Sequence, residues 1–292
     1  VHVIVSYPPG GAPDLMARPY SQKLQAALGQ SVIVENRPGG NTVIGYNAVA
    51  KAAPDGLTLG LVTFTFALSP VFKDKPPYHP VRDFAAVGQL CKSTAVIIGA
   101  PTLPFRSVKE LIAYAKDRPG DVNYGIVSPG TSGALAALSL QSMAGIKMTP
   151  VMYKGAAQSV AAAASGEIHL TFTNIGAIVS LAKAGRLTVL AVTSPKRSSA
   201  LPSVPTVAET IPGYAEESYF GLVTTVKTPP ATINRMSRET VKIVDSEEIK
   251  KAYQGLGLDA ESSGADEFGK FLAVQVEKWS AVFKDKPLES GG

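Results

Sequence analysis

A single cysteine, Cys91, stands in 292 residues, so no internal disulfide can staple the chain and stability must come from packed cores. Its flanks, Gln89 and Leu90, suit a small buried hydrophobe. Histidine is nearly as scarce. His2, His79 and His169 have no partner at metal-ligand spacing, which argues against a metal centre. No stretch approaches the roughly 18 consecutive apolar residues of a membrane-spanning helix. The segment Pro8-Pro9-Gly10-Gly11 lacks the following Lys-Ser or Lys-Thr of a phosphate-binding loop and misses the dinucleotide spacing. No Gly-x-Ser-x-Gly elbow is present. The densest basic stretch, Lys196-Arg197, is too short for a nucleic-acid footprint. These gaps point away from a metal, an organic cofactor, nucleic acid or a nucleophile-driven reaction.

What remains is ample apolar material. Hydrophobic residues make up 45% and charged residues 17%, enough for two real cores and too apolar for disorder. With 27 glycines and 22 prolines, many short connections are expected. The formal charge of +5 gives a mild field that favours small anions, although an ordinary solubility charge reads the same way.

Local patterns alternate between strand and helix. Residues 1–7 read as a strand ended by the Pro-Pro-Gly-Gly turn. A helix runs from near Asp14 to Gly29 with Leu15, Ala17 and Leu24 toward a core. A strand at 31–35, a helix at 42–52 and a strand at 57–63 complete a βαβαβ beginning, with a parallel sheet as the default. After a looser stretch at 64–82, two strands are expected at 84–91 and 95–100. Ser107 and Glu110 form a capping box for the next helix. A second α/β set follows: strands at 122–126, 148–152, 170–173 and 188–193 alternate with helices to about Ala144 and at 158–164 and 176–184. Residues 194–213 read as irregular, 219–226 as a strand, and the last quarter as helix. Its final helix carries Phe268, Leu272, Val276, Trp279 and Phe283 on one face.

The C-terminal helices lack a sheet of their own and are expected to return to the first block. The expected fold is therefore α/β with two lobes: residues 1–99 and 224–292 form lobe 1, and residues 100–223 form lobe 2. The chain would cross near 98–101 and 220–223, with a ligand cleft between lobes. Each lobe offers a strand, a Gly-bearing loop and a helix start, at residues 8–14 and 128–132. Amide groups at helix N-termini bind anions, so such loops suit a carboxylate. Neither loop contains an arginine. Asp14 is ambiguous. It can pair with Arg18 at i,i+4 or face a ligand, where it would repel a carboxylate and accept an ammonium or hydroxyl.

At this point the motifs become specific. Tyr7-Pro8-Pro9-Gly10-Gly11-Ala12-Pro13-Asp14 with Ala17-Arg18, Val34-Glu35-Asn36-Arg37-Pro38-Gly39-Gly40, Ala53-Pro54-Asp55-Gly56-Leu57 and Pro80-Val81-Arg82-Asp83-Phe84 occur in order. Gly130-Thr131-Ser132, Tyr153-Lys154-Gly155, Leu201-Pro202-Ser203-Val204-Pro205-Thr206 and Pro212-Gly213-Tyr214 continue the series. This resembles, over nearly the whole chain, the Bug family of extracytoplasmic solute receptors of tripartite tricarboxylate transporters.

The resemblance implies a type II periplasmic binding architecture: two α/β lobes around a cleft, joined by two crossings. It implies capture of a small organic carboxylate without chemistry. The partners would be the permease subunits of such a transporter or, alternatively, a sensor protein. The location would be the periplasm, with a signal peptide removed before Val1, and the state a monomer. Carried over by motif, the ligand-binding residues are Gly11, Ala12, Pro13 and Asp14, then Phe64 and Thr65, then Ser128, Gly130, Thr131, Ser132 and Ala134. Tyr153, Lys154, Gly155, Thr173 and Asn174 complete the set. One carboxylate would be gripped by backbone groups, the Thr131 and Ser132 hydroxyls and water. Phe64, Ala134, Tyr153 and Thr173 would meet the far end of the ligand. Thr173, Ala134, Pro129 and Met152 depart from frequent family residues, so the ligand's identity does not carry over. An α/β enzyme acting on an anionic substrate is the remaining rival, disfavoured by the histidine inventory.

Overall fold

The structure, a computed structural model, describes residues 1–127, 130–198, 201–285, 287 and 288. Two compact units emerge. Unit 1 comprises Val1–Lys92 with Tyr219–Gly292, and unit 2 comprises Ser93–Ser218. The divisions fall a few residues before the positions expected from sequence.

Unit 1 opens with β1 (His2–Val5), α1 (Ala12–Leu28), β2 (Ile33–Asn36), α2 (Val43–Ala50), β3 (Thr58–Thr63), a short α3 (Phe64–Ala67) and β4 (Phe84–Gly99). Strand β1 is parallel to both β2 and β3, with His2 opposite Ile33 and Thr58. Helix α1 starts at the extended Gly11, and Pro13 in its first turn brings a pre-set φ and no orphan N–H. It ends at Gly29, whose left-handed φ of 64° lets its N–H reach the Gln25 carbonyl at 2.9 Å. Met16, Ala17, Tyr20 and Leu24 form its inward stripe. Leu15, expected to face the core, is 44% exposed because it lies one position off that stripe.

Unit 2 continues with α4 (Val108–Asp117), β5 (Asn123–Ile126), α5 (Ser132–Ala144), β6 (Thr149–Met152), α6 (Ala156–Ser165), β7 (Leu170–Asn174), α7 (Val179–Lys183) and β8 (Thr188–Val192). Strand β5 is parallel to β6 and β7, while β4 runs antiparallel to β7 and β8. The α4 cap differs from the expected box in one bond. Ser107 Oγ accepts from the Glu110 N–H at 3.2 Å, but Glu110 Oε2 accepts from the Arg106 N–H at 2.6 Å. Strand β9 (Glu217–Thr225) leads back to unit 1, where it pairs antiparallel with β3. Then come α8 (Pro230–Val244), α9 (Glu247–Gly255), β10 (Asp259–Ser263) and α10 (Ala265–Val282). Phe268, Leu272, Val276 and Trp279 of α10, and Phe283 after it, are buried as the periodicity indicates.

Two strands escaped the sequence reading. Strand β4 is one element of 16 residues, not two. Its polar centre reads as a break, yet the groups are used: Lys92 Nζ lies 2.6 Å from Glu261 Oε1, and Ser93 Oγ donates to Asn174 Oδ1 at 3.3 Å. Because β4 and β9 both run through the unit boundaries, no turn marks either division. Strand β10, Asp-Ala-Glu-Ser-Ser, lacks apolar alternation and forms because β4 offers it an antiparallel edge.

Candidate functional site

In unit 1 the residues singled out from sequence gather at the C-terminal ends of parallel strands, the usual ligand edge of an α/β sheet. The loop after β1 carries Gly11, Ala12, Pro13 and Asp14, and the turn after β3 carries Phe64 and Thr65. Gly10 adopts φ +82°, which turns the chain sharply into α1 and favours glycine there. Gly11 and Ala12 are exposed. The first-turn amides of a helix have no carbonyl partner within it, so the N–H groups of Ala12 and Asp14 are donors oriented along the α1 axis.

Asp14 resolves its ambiguity inward. Its carboxylate is buried and accepts four hydrogen bonds: from Arg18 Nη2 at 2.8 Å and Asn36 Nδ2 at 3.0 Å on Oδ1, and from Gly10 N at 2.9 Å and Arg18 Nε at 3.1 Å on Oδ2. Burial pushes this carboxyl up, but Arg18, the Gly10 amide and Asn36 outweigh it and hold the group below its ordinary value. A carboxylate has about four lone-pair sites, so none is left for a ligand ammonium or hydroxyl. The side chain shapes the loop.

Sequence reasoning missed two partners of this loop. Asn36, at the end of β2, also donates from Nδ2 to the Tyr7 carbonyl at 3.1 Å. The Tyr7 hydroxyl lies 2.8 Å from Thr63 Oγ1 and 2.7 Å from Thr65 Oγ1, and the two threonine oxygens are 2.8 Å apart. Burial raises the Tyr7 phenol above its ordinary value, against the opposing effect of its hydroxyl partners. The signal available was position: both residues sit inside motifs already noted, at strand ends. The segment after Asn36 is strained, with φ of 120°, 54°, 50° and 74° at Gly39, Gly40, Asn41 and Thr42.

In unit 2 the residues again collect at strand ends: Gly130, Thr131 and Ser132 after β5, Tyr153, Lys154 and Gly155 after β6, and Thr173 and Asn174 at the end of β7. Ser128 lies outside the described residues. Thr131 caps α5, its Oγ1 accepting from the Ala134 N–H at 3.4 Å. Gly130, Thr131 and Ser132 are half-buried, and Asn174 is exposed. Three side chains are placed differently from expectation. Ala134 is buried in the unit 2 core with Phe172 and Leu140, because its helical position faces the sheet. The Tyr153 hydroxyl is spent on Glu167 Oε1 at 2.9 Å. Thr173 is buried within β7.

The histidines have local partners. His79 Nδ1 accepts from the Val81 N–H at 3.2 Å, and His169 Nδ1 is 2.9 Å from Asn123 Oδ1. Among the described residues no group of three His, Cys, Asp or Glu is placed to hold a metal, and no helix is long and apolar enough to cross a membrane. Cys91 is free and fully buried, and burial pushes its thiol well up.

Residues 16–288 match the family model of the tripartite tricarboxylate transporter family receptor. The chain belongs to that family. Protein BugT of Bordetella pertussis is 31% identical over 288 residues, covering 98% of this chain and 88% of BugT. A TctC solute binding protein from Polaromonas superposes with a TM-score of 0.88 at 26% identity, covering 97% of each chain. Rpa4515 of R. palustris, solved with adipate, superposes with a TM-score of 0.78 at 28% identity over 99% of this chain and 98% of that one. The fold is thus that of the two-lobed solute-binding receptors.

Proposed function

We propose that this receptor captures a small organic carboxylate in the periplasm and delivers it, as a monomer, to the permease subunits of a tripartite tricarboxylate transporter. The observation that carries the reading is the convergence of the motif residues on strand ends in both units, with helix-start amides in place of any arginine. A buried carboxylate without donors is costly. The amides of Ala12 and Asp14, with Gly11 before them, serve one oxygen pair. In unit 2 the Gly130 to Ser132 stretch offers its amides and the Thr131 and Ser132 hydroxyls to a carboxylate, and water bridges donors that do not reach directly. Phe64, Lys154, Gly155 and Asn174 are exposed enough to meet the remainder of the ligand. Adipate in the R. palustris relative supports a carboxylate.

A thermal-shift screen of linear mono- and dicarboxylates, adipate included, tests this. A ligand at a hundred times its Kd stabilises by about 2.7 kcal/mol, which raises Tm by roughly 4–5 °C. The expected result is a rise with at least one carboxylate and none with matched alcohols or amines. A flat response to every carboxylate at millimolar concentration overturns the reading.

A further inference from the structure

We propose that Tyr7 is a positioning residue that couples the three strand-end loops of unit 1, and that Thr65 serves capture through Tyr7 and not as a donor to the ligand. The inference rests on the reading of residues 11–14 as a carboxylate grip. Its first support is proton counting. Tyr7, Thr63 and Thr65 form a closed triangle with sides of 2.8, 2.7 and 2.8 Å. Each hydroxyl has one proton, so a closed ring consumes all three, whichever way it runs. Thr63 Oγ1 also accepts from the Thr65 N–H at 3.3 Å. While the ring is intact, Thr65 has no side-chain proton to give a carboxylate.

The second support is connectivity. From Tyr7 the network continues in the other direction: its carbonyl accepts from Asn36, Asn36 donates to Asp14, and Asp14 accepts from the Gly10 amide. One residue therefore ties the end of β3 through its hydroxyl, the end of β2 through its carbonyl, and the loop after β1 through the backbone it belongs to. A site whose supporting contacts slip by about 1 Å loses much of its function, so these bonds set the aim of the Ala12 and Asp14 amides. Tyr7→Phe removes one oxygen and leaves Thr63 and Thr65 bonded to each other, so the fold is retained.

The test has two arms. In the first, amide hydrogen exchange is followed by mass spectrometry in parent and Tyr7→Phe without ligand. Residues 8–14, 36–42 and 64–67 should exchange together roughly tenfold faster, with α8 and α10 unchanged. Acceleration confined to 64–67, or none at all, overturns the coupling. In the second arm, adipate and the best carboxylate of the thermal-shift screen are titrated calorimetrically. Tyr7→Phe and Thr65→Val should each weaken binding roughly tenfold, the double variant no more than either alone, and Thr65→Ser should match the parent. Additive losses would make Thr65 a direct ligand donor and overturn the second half of the proposal. If the parent binds no carboxylate, the functional reading fails, and the exchange arm still decides the coupling.

Discussion

The loop after β1 and the loop after β5 open comparable helices by different means. The first is held by charge and amide bonds: Asp14, Arg18, Asn36 and the Gly10 amide close on one another, and Pro13 stiffens the turn. The second, in its described part, is held by shape. A Cβ on Gly133 would come within 2.5 Å of the Phe172 carbonyl oxygen, so the start of α5 lies directly against β7, and a single hydroxyl, Thr131, caps it. A polar brace keeps donors fixed yet exposes the loop to titration and to loss of one partner. A packed brace ignores pH but tolerates no added volume.

Removing Asp14 should have the largest effect. Asp14→Ala orphans the Gly10 and Asn36 donors, and we expect a loss of about 2–3 kcal/mol by denaturant unfolding, the Arg18 contribution being reduced by its exposure. The same carboxylate gives a pH signature. Its folded value is below the ordinary 3.8, so the stability it adds is present above that value and is lost as pH falls through the lower folded value. Below about pH 4 the parent should lose stability more steeply than Asp14→Asn, and parallel curves would refute the brace. Next comes Gly133→Ala, which should cost about 1–3 kcal/mol through forced movement against Phe172, with no change in that pH slope. A parent-like Tm would show the α5 contact to be slack.

Thr131→Val should cost about 1 kcal/mol as a lost cap and weaken carboxylate binding, while Thr131→Ser should retain both. Equal binding by the valine variant would remove the hydroxyl from the grip. The smallest effect is expected away from both loops. Glu209 is held at about 2, first by its bond from Arg197 and then by the Thr206 amide, but it lies in solvent. Glu209→Gln should leave Tm and binding nearly unchanged, and any contribution should vanish as pH falls toward 2. A large loss would show that exposed polar bracing matters outside the loops as well.

Much of this was legible in the sequence because backbone chemistry announces itself. Glycines at 29, 145 and 166 end helices in left-handed conformation, and β-branched residues mark β1 and β2. Helical spacing found the α10 stripe, and the paired loops were visible as Pro and Gly punctuation. The misses have physical causes. Strand β10 and the middle of β4 owe their form to partners far along the chain, and local composition there is polar. Leu15 was misplaced because one residue is a 100° turn on a helix. Asp14 read as either ligand contact or ion pair, since its fate depends on Asn36, 22 residues away. Ala134 sits in a motif that points to the pocket, whereas its helical position turns it into the core. Hydroxyl networks such as that of Tyr7 leave no periodic trace at all.

The divided make-up of unit 1 bears on how the polypeptide is born. Unit 2 is contiguous and is complete once Ser218 has been made, whereas unit 1 waits for α10, whose Phe268 ring fills the space over Gly221 so closely that a Cβ there would lie 2.2 Å from it. Chains emerge at roughly 5–20 residues per second, so many seconds separate β1 from the helix that seals its sheet. Closing that long interval carries a loop-entropy cost that grows only slowly with length, so delay, more than thermodynamics, sets the constraint. Strands β1, β2 and β3 can pair early, but the edge of β3 that takes β9 must stay unpaired or shielded until β9 is made, and the cover by α10 comes later still, so unit 1 becomes the late and vulnerable step of maturation.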